Sequence, residues 1–109
     1  MEMHQIRYFL AVCSERNFSR AAALCQVSQP SLTRAIKLLE AELGGALFRR
    51  NRGHSHLTEL GELVRPNLQK VWDKSALAVE IARRFAVTGP LAEAPTPAAA
   101  RKPARDCER

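Results

Sequence analysis

The side chains between Ser28 and Lys37 have the types and spacing to recognise a polar, anionic partner. Gln29 carries an amide that can bond an adenine edge at two points. Arg34 carries a guanidinium suited to a guanine edge or to a phosphate. Pro30, Thr33, Arg34 and Lys37 recur at i, i+3, i+4 and i+7, one face of a helix, and that face is polar and basic. A second cluster follows in Arg49, Arg50 and Arg52, with His54 and His56 behind them. From Leu43 to Thr58 there is no Asp or Glu. A solvated loop has no reason to exclude acids so completely. Crowded arginines suit the phosphate backbone and the minor groove of a duplex, whose negative potential attracts them. Lys37, Arg49 and Arg50 read as phosphate contacts that set register rather than sequence.

Other chemistries find little support. His54 and His56 form a His-x-His pair without further ligands, so no metal is expected. No nucleophile–base pairing and no phosphate loop can be assembled, and the acids are scattered over helix surfaces. Neither an enzyme nor a cofactor is expected. Single-stranded RNA would call for an exposed aromatic platform, which the chain lacks.

These residues need elements to hold them. Residues 18–43 read as two helices joined by a tight turn. Ser19 is expected to cap the first, with Phe18 stapled onto Ala23. That helix stops near Gln26, and Val27 is the apolar residue of the turn. Ser28 caps the second helix and Pro30 sits in its first turn, where a missing N–H costs little. Leu32, Ile36, Leu39 and Leu43 face inward, and Gly44-Gly45 ends the helix. Two such helices at a steep angle, the second with an exposed polar face, describe a helix-turn-helix reader of duplex DNA. An ordinary helical hairpin with a solvated charged side is the competing reading, and the basic segment after it counts against that.

Upstream, residues 3–15 form a helix. Met3, Ile6, Phe9, Leu10 and Cys13 are its expected buried stripe, widened by Tyr8, Ala11 and Val12. Downstream, Leu47 and Phe48 start a short strand, Asn51, Arg52 and Gly53 supply turn chemistry, and Leu57 returns to the core, so residues 47–57 read as a hairpin wing. Thr58 caps a long helix over 59–87. Leu60, Val64, Val71, Ala78 and Phe85 are among its apolar residues, the last four recurring every seven, flanked by Leu63, Leu68, Trp72, Leu77 and Ile81. That is more apolar surface than a small core can cover, and the repeat suggests a partner helix. Pro66 should bend this helix or weaken one turn. Residues 88–109 are rich in Ala and Pro without apolar periodicity and read as a disordered tail.

A chain of 109 residues with formal charge +6 and pI about 9.9 fits one basic domain with an acidic partner. No apolar run approaches a membrane span and no signal peptide is seen, so the protein is expected in the cytoplasm. Three cysteines, Cys13, Cys25 and Cys107, do not suggest a disulfide framework.

Helix, helix-turn-helix, basic wing and long apolar helix follow in that order. The chain resembles the N-terminal DNA-binding region of LysR-type transcriptional regulators. The phrases that carry the resemblance are Ile6-Arg-Tyr-Phe-Leu-Ala-Val12, Asn17-Phe-Ser-Arg-Ala-Ala22, Val27-Ser-Gln-Pro-Ser-Leu-Thr-Arg34, Leu38-Leu-Glu-Ala-Glu-Leu-Gly44, Leu47-Phe-Arg-Arg50 and Leu57-Thr-Glu-Leu-Gly61. It implies a mainly α fold: a winged helix-turn-helix of three helices and a two-stranded wing over 1–58, then a linker and dimerisation helix over 59–87. It implies that residues 28–43 enter the major groove, with base or backbone contacts from Gln29, Pro30, Ser31, Thr33 and Arg34. It also implies a minor-groove arginine on the wing. Many relatives place that arginine where this chain has Gly53, which makes Arg52 the candidate here. The expected DNA-contacting set is therefore Ser28, Gln29, Pro30, Ser31, Thr33, Arg34, Lys37, Arg49, Arg50, Arg52 and His54. The expected dimer seam is Leu60, Val64, Leu68, Val71, Trp72, Leu77, Ile81 and Phe85. The implied partners are double-stranded DNA and a second copy of the chain, with a tetramer in a full-length regulator, acting at the nucleoid. The large effector-sensing domain of the family is not recognisable, so no small-molecule effector is expected to bind this chain. A truncated module that pairs with full-length regulators and modulates them is the alternative function.

Overall fold

A computed structural model describes residues 1–88. The expected tail, from residue 89 onward, lies outside the described residues, as does Cys107. The element order is α1 (Met3–Glu15), α2 (Phe18–Cys25), α3 (Gln29–Leu43), β1 (Phe48–Asn51), β2 (His54–Leu57) and α4 (Glu59–Thr88). This is a winged helix-turn-helix, mainly helical, followed by a long helix. Two units are distinguished along the chain, Met1–Asp73 and Lys74 onward, so α4 contributes to both.

In the first unit the core is built from one face of each helix. α1 gives Ile6, Phe9, Ala11 and Val12; α2 gives Phe18, Ala21, Ala22 and Cys25; α3 gives Leu32, Ile36 and Leu39. Alanine on α2 allows the helices to approach closely, and the larger side chains of α1 and α3 fill the space. Leu47, fully buried, carries the chain from α3 to the wing. Glu40 fixes that passage: its carboxylate accepts from the Leu47 N–H at 2.7 Å. The sequence expectation for α1 differs at Met3, which is exposed; Ala11 and Val12, expected to widen the stripe, do lie in the core, because the face turned to α2 and α3 includes both.

The start of α2 also differs. Asn17, not Ser19, caps it: Asn17 has extended backbone, and its side-chain oxygen accepts from the Arg20 N–H at 2.8 Å. The helix therefore begins at Phe18, whose ring is buried rather than stapled to the exposed Ala23. At the end of α2, Gln26 takes left-handed backbone (φ 60°) and turns the chain toward α3. Ser28 caps α3 as expected, accepting from the Ser31 N–H at 3.2 Å. Gly44, at φ 89°, closes it.

The wing is an antiparallel pair, Phe48 opposite Leu57 and Asn51 opposite His54. Arg52 and Gly53 both have positive φ (53° and 82°), which makes a two-residue turn whose twist matches the strands. Phe48 ties the wing to the helices, with its ring 5.4 Å from Phe9 and 5.6 Å from Phe18. Thr58 joins the wing to α4. Its hydroxyl donates to the Ala46 carbonyl at 2.6 Å and accepts from the Gly61 N–H at 3.1 Å.

α4 corrects the expected seam. Leu68 is only 5 % exposed and belongs to the core of its own chain, and Leu60, Val64 and Trp72 pack against that core. Of the eight seam residues Leu68 is thus taken by the first unit, and Leu60, Val64 and Trp72 are partly covered by it, because the core of three helices and the wing needs the first turns of α4 to close it. Val71, Leu77, Ile81 and Phe85 remain exposed. Pro66 is accommodated within the helix, which runs as one element from Glu59 to Thr88.

Candidate nucleic-acid interface

Capping by Ser28 and the inward apolar stripe of α3 decide which residues of that helix meet solvent. Gln29, Pro30, Thr33, Arg34, Lys37 and Leu38 line one shallow depression on its outer side. The four residues expected at helical spacing are therefore brought together. Leu38 joins them; its type gives no sign of this in the sequence, because leucine at that spacing reads as core. Ser28 and Ser31 lie at the N-terminal end of the helix, bonded to each other through their hydroxyls at 2.9 Å.

The wing stands beside this surface. Phe18, Thr33, Lys37, Phe48 and Arg50 line a second depression, between α3, the start of α2 and β1. A third, of about 160 Å³, lies between Asn17, Ser19, Gln29, Arg50, Gly53 and His54. Four contacts hold the parts in register, two of them made by Arg50. The Asn17 side chain donates to the Gly53 carbonyl at 2.7 Å, tying the hairpin turn to the N-terminus of α2. The Ser55 N–H donates to the Arg16 carbonyl at 2.9 Å. The Arg50 guanidinium lies 3.8 Å from the centre of the Phe18 ring and donates to the Thr33 hydroxyl at 3.3 Å.

That last contact alters the expectation for Arg50. The sequence reads it, with Lys37 and Arg49, as a phosphate contact. In the fold it is held against an aromatic face, an attraction worth about 0.5–1 kcal/mol at an exposed site, and it reaches Thr33 on α3. Arg49 and Arg52 have no ion-pair partner among the described residues. Arg52 sits at the hairpin tip, where a left-handed backbone carries it outward. His54 flanks the turn and is exposed, as is His56. Among the described residues no three His, Cys, Asp or Glu side chains gather as a metal site.

Asn17, Phe18 and Ser19 line this surface, whereas the sequence reading used Phe18 and Ser19 only to start a helix and gave Asn17 no role of its own. Asn17 was legible as an N-cap, since Asn ranks with Ser at that position. Its second bond, to Gly53, spans a sequence distance that no local pattern reveals. Cys13 is a bystander: burial pushes its thiol up to about 11, partly offset by the charge of Arg65, so it stays protonated at neutral pH.

Comparison with known proteins agrees with this geometry. Residues 3–62 match the family described as bacterial regulatory helix-turn-helix protein, lysR family. The transcriptional regulator BudR of Klebsiella aerogenes is 45 % identical over 86 residues, which is 79 % of this chain and 60 % of that protein. A probable cat1 operon transcriptional activator of Acinetobacter lwoffii is 49 % identical over 63 residues, 58 % of this chain and 21 % of that one. The chain thus spans between a fifth and three fifths of these relatives. Among solved structures, the CbnR DBD–DNA complex superposes with a TM-score of 0.72 at 32 % identity, covering 79 % of this chain and 99 % of that one. The BenM DBD/catB site 1 DNA complex gives 0.74 at 34 % identity, covering 79 % and 97 %.

Proposed function

The chain belongs to the lysR family of bacterial regulatory helix-turn-helix proteins and carries their DNA-binding domain, and from that premise we propose how it reads a duplex. The N-terminal half of α3 enters the major groove. Gln29, Thr33 and Arg34 meet base edges there, with Pro30 as an apolar neighbour. Ser28, Ser31, Lys37 and Arg49 hold phosphates, and Arg52 reaches the minor groove with His54 beside it. The observation that carries this reading is the single outer surface formed by Gln29, Pro30, Thr33, Arg34 and Lys37, next to a wing free of acids. A helix fits the major groove, and its N-terminal residues are the ones that reach base edges. Two copies act together through the exposed apolar residues of α4, because one recognition helix reads few bases and a two-fold pair reads two half-sites. The protein then works where the chromosome is, in the cytoplasm; no helix among the described residues is long and apolar enough to cross a membrane. Selection from a random duplex pool, followed by footprinting, tests the reading. Two half-sites about one helical turn apart are expected, and recovery of no sequence would refute it.

Two substitutions separate the roles. Arg34→Ala should cost about 1–3 kcal/mol on the selected site and flatten the preference at one base pair. Arg49→Ala should weaken all sequences by similar factors, since a phosphate contact carries no sequence information. Equal loss of preference in both, measured by competition binding, would contradict this division.

Salt reports the phosphate contacts. Arg34, Lys37, Arg49, Arg50 and Arg52 are the available cations, and with about three engaged per half-site the slope of log K against log[salt] should be near −5. A slope shallower than about −2 would mean that the wing stays solvated.

A further inference from the structure

The first residue of the recognition helix is not free. The Ser19 hydroxyl, on α2, donates to the Gln29 side-chain oxygen at 2.7 Å. Glutamine has two different ends: an oxygen that accepts and an NH2 that donates twice. To read adenine at two points it needs both, the oxygen accepting from N6 and the nitrogen donating to N7. In this chain the oxygen end is turned back to Ser19, so the NH2 end is presented to the partner. We propose that Ser19 is a specificity-determining positioning residue, which fixes Gln29 as a donor and steers it to guanine, whose N7 and O6 both accept, and away from adenine.

Neighbouring contacts run the same way. Arg50 donates to the Thr33 hydroxyl oxygen, which leaves the hydroxyl hydrogen of Thr33 to point elsewhere. Arg34 and Lys37 are donors by nature. The outer face of α3 is therefore a donor surface, and it complements base edges that accept. Adenine would set its N6 amino group against the Gln29 amino group, two donors without an acceptor between them. Ser19 is exposed and lies in the first turn of α2, where its hydroxyl does not cap the helix. Removing it changes Gln29 while leaving the core alone.

This inference rests on α3 reading a duplex, and the experiment keeps the two apart. Base preference is measured by competition across all single substitutions of the selected site, for wild type, Ser19→Ala, Ser19→Thr and Gln29→Ala. The position that loses its preference in Gln29→Ala is the one Gln29 reads. Wild type should favour guanine over adenine there by about tenfold, within the range of one good base contact. Ser19→Ala should reduce that to threefold or less at this position alone. Ser19→Thr, which keeps the hydroxyl, should retain it. In a Gln29→Ala background, Ser19→Ala should have no further effect. A wild type that selects no sequence overturns the reading of α3 itself. A wild type with a clear site at which Ser19→Ala leaves every preference intact overturns only the role of Ser19. So does a uniform weakening of all sequences, which would make Ser19 a phosphate contact, and so does a wild-type preference for adenine at that position.

Discussion

Gly61→Ala should lower the melting temperature by about 10 °C or more, although it places a better helix former inside a helix. Alanine would gain about 1 kcal/mol in helix propensity. Its Cβ, however, would lie 2.5 Å from the Leu47 carbonyl oxygen and 2.7 Å from a Leu57 methyl. The oxygen is backbone and is held, since it accepts from the Thr58 N–H at 3.0 Å. Leu47 itself is fully buried, so its backbone cannot step aside without disturbing the core. Overpacking of this kind costs about 1–3 kcal/mol and sometimes more. With the propensity gain set against the upper part of that range, a net loss of about 2 kcal/mol remains. A domain of this size loses about 4–8 °C for each kcal/mol. Gly45→Ala is the comparison: its Cβ would meet only a Leu60 methyl at 2.9 Å, the end of a flexible side chain, and the loss should be smaller. Thermal unfolding followed by circular dichroism reads both. If Gly61→Ala melted with the wild type, α4 and the start of the wing would not meet as described.

Gly61 also shows what a sequence conveys and what it hides. The order of elements was legible because each has a local cause. Ser28 caps α3, Gly44 and Gly53 take positive φ, and the inward residues of α3 follow the helical period. The outer face of α3 was legible for the same reason, since Pro30, Thr33, Arg34 and Lys37 are the other side of that period. Contacts between elements were not legible. Nothing local says that the Asn17 side chain crosses to Gly53, that Arg50 lies on Phe18, or that Ser19 turns Gln29. These pairs depend on the angle between helices and on the path of the wing. The seam of α4 was legible only in part, for a related reason. A seven-residue repeat reports an apolar face but not what covers it, and the first turns of α4 are covered by the core of their own chain. Past Trp72 the described residues Leu77, Ile81 and Phe85 are exposed, and the proposed dimer rests on them.

Ile81→Lys should therefore turn the proposed dimer into monomers, while leaving Met1–Asp73 folded. Leu77, Ile81 and Phe85 follow one another at i, i+4 and i+8 on α4 and are 47 %, 56 % and 57 % exposed. Burying a large apolar side chain fully is worth about 1.5–3 kcal/mol. Three from each copy, even half covered, together with Val71 and Ala78 on the same side, reach the range of about 4–15 kcal/mol that association costs. A lysine at Ile81 would set two like charges against each other in that seam. It would cost the isolated chain little, since the position is exposed. Specific affinity should then fall by about 10²- to 10⁴-fold, the gain that linking two modules supplies. The salt slope should fall to about half, because one half-site is engaged instead of two. Sedimentation at micromolar concentration distinguishes the possible causes. Wild type that sediments as a dimer and Ile81→Lys as a monomer of unchanged helicity support the seam. Wild type that stays monomeric at that concentration, yet binds a palindromic duplex tightly and with the full slope, would mean that the DNA, not α4, brings the two recognition helices together.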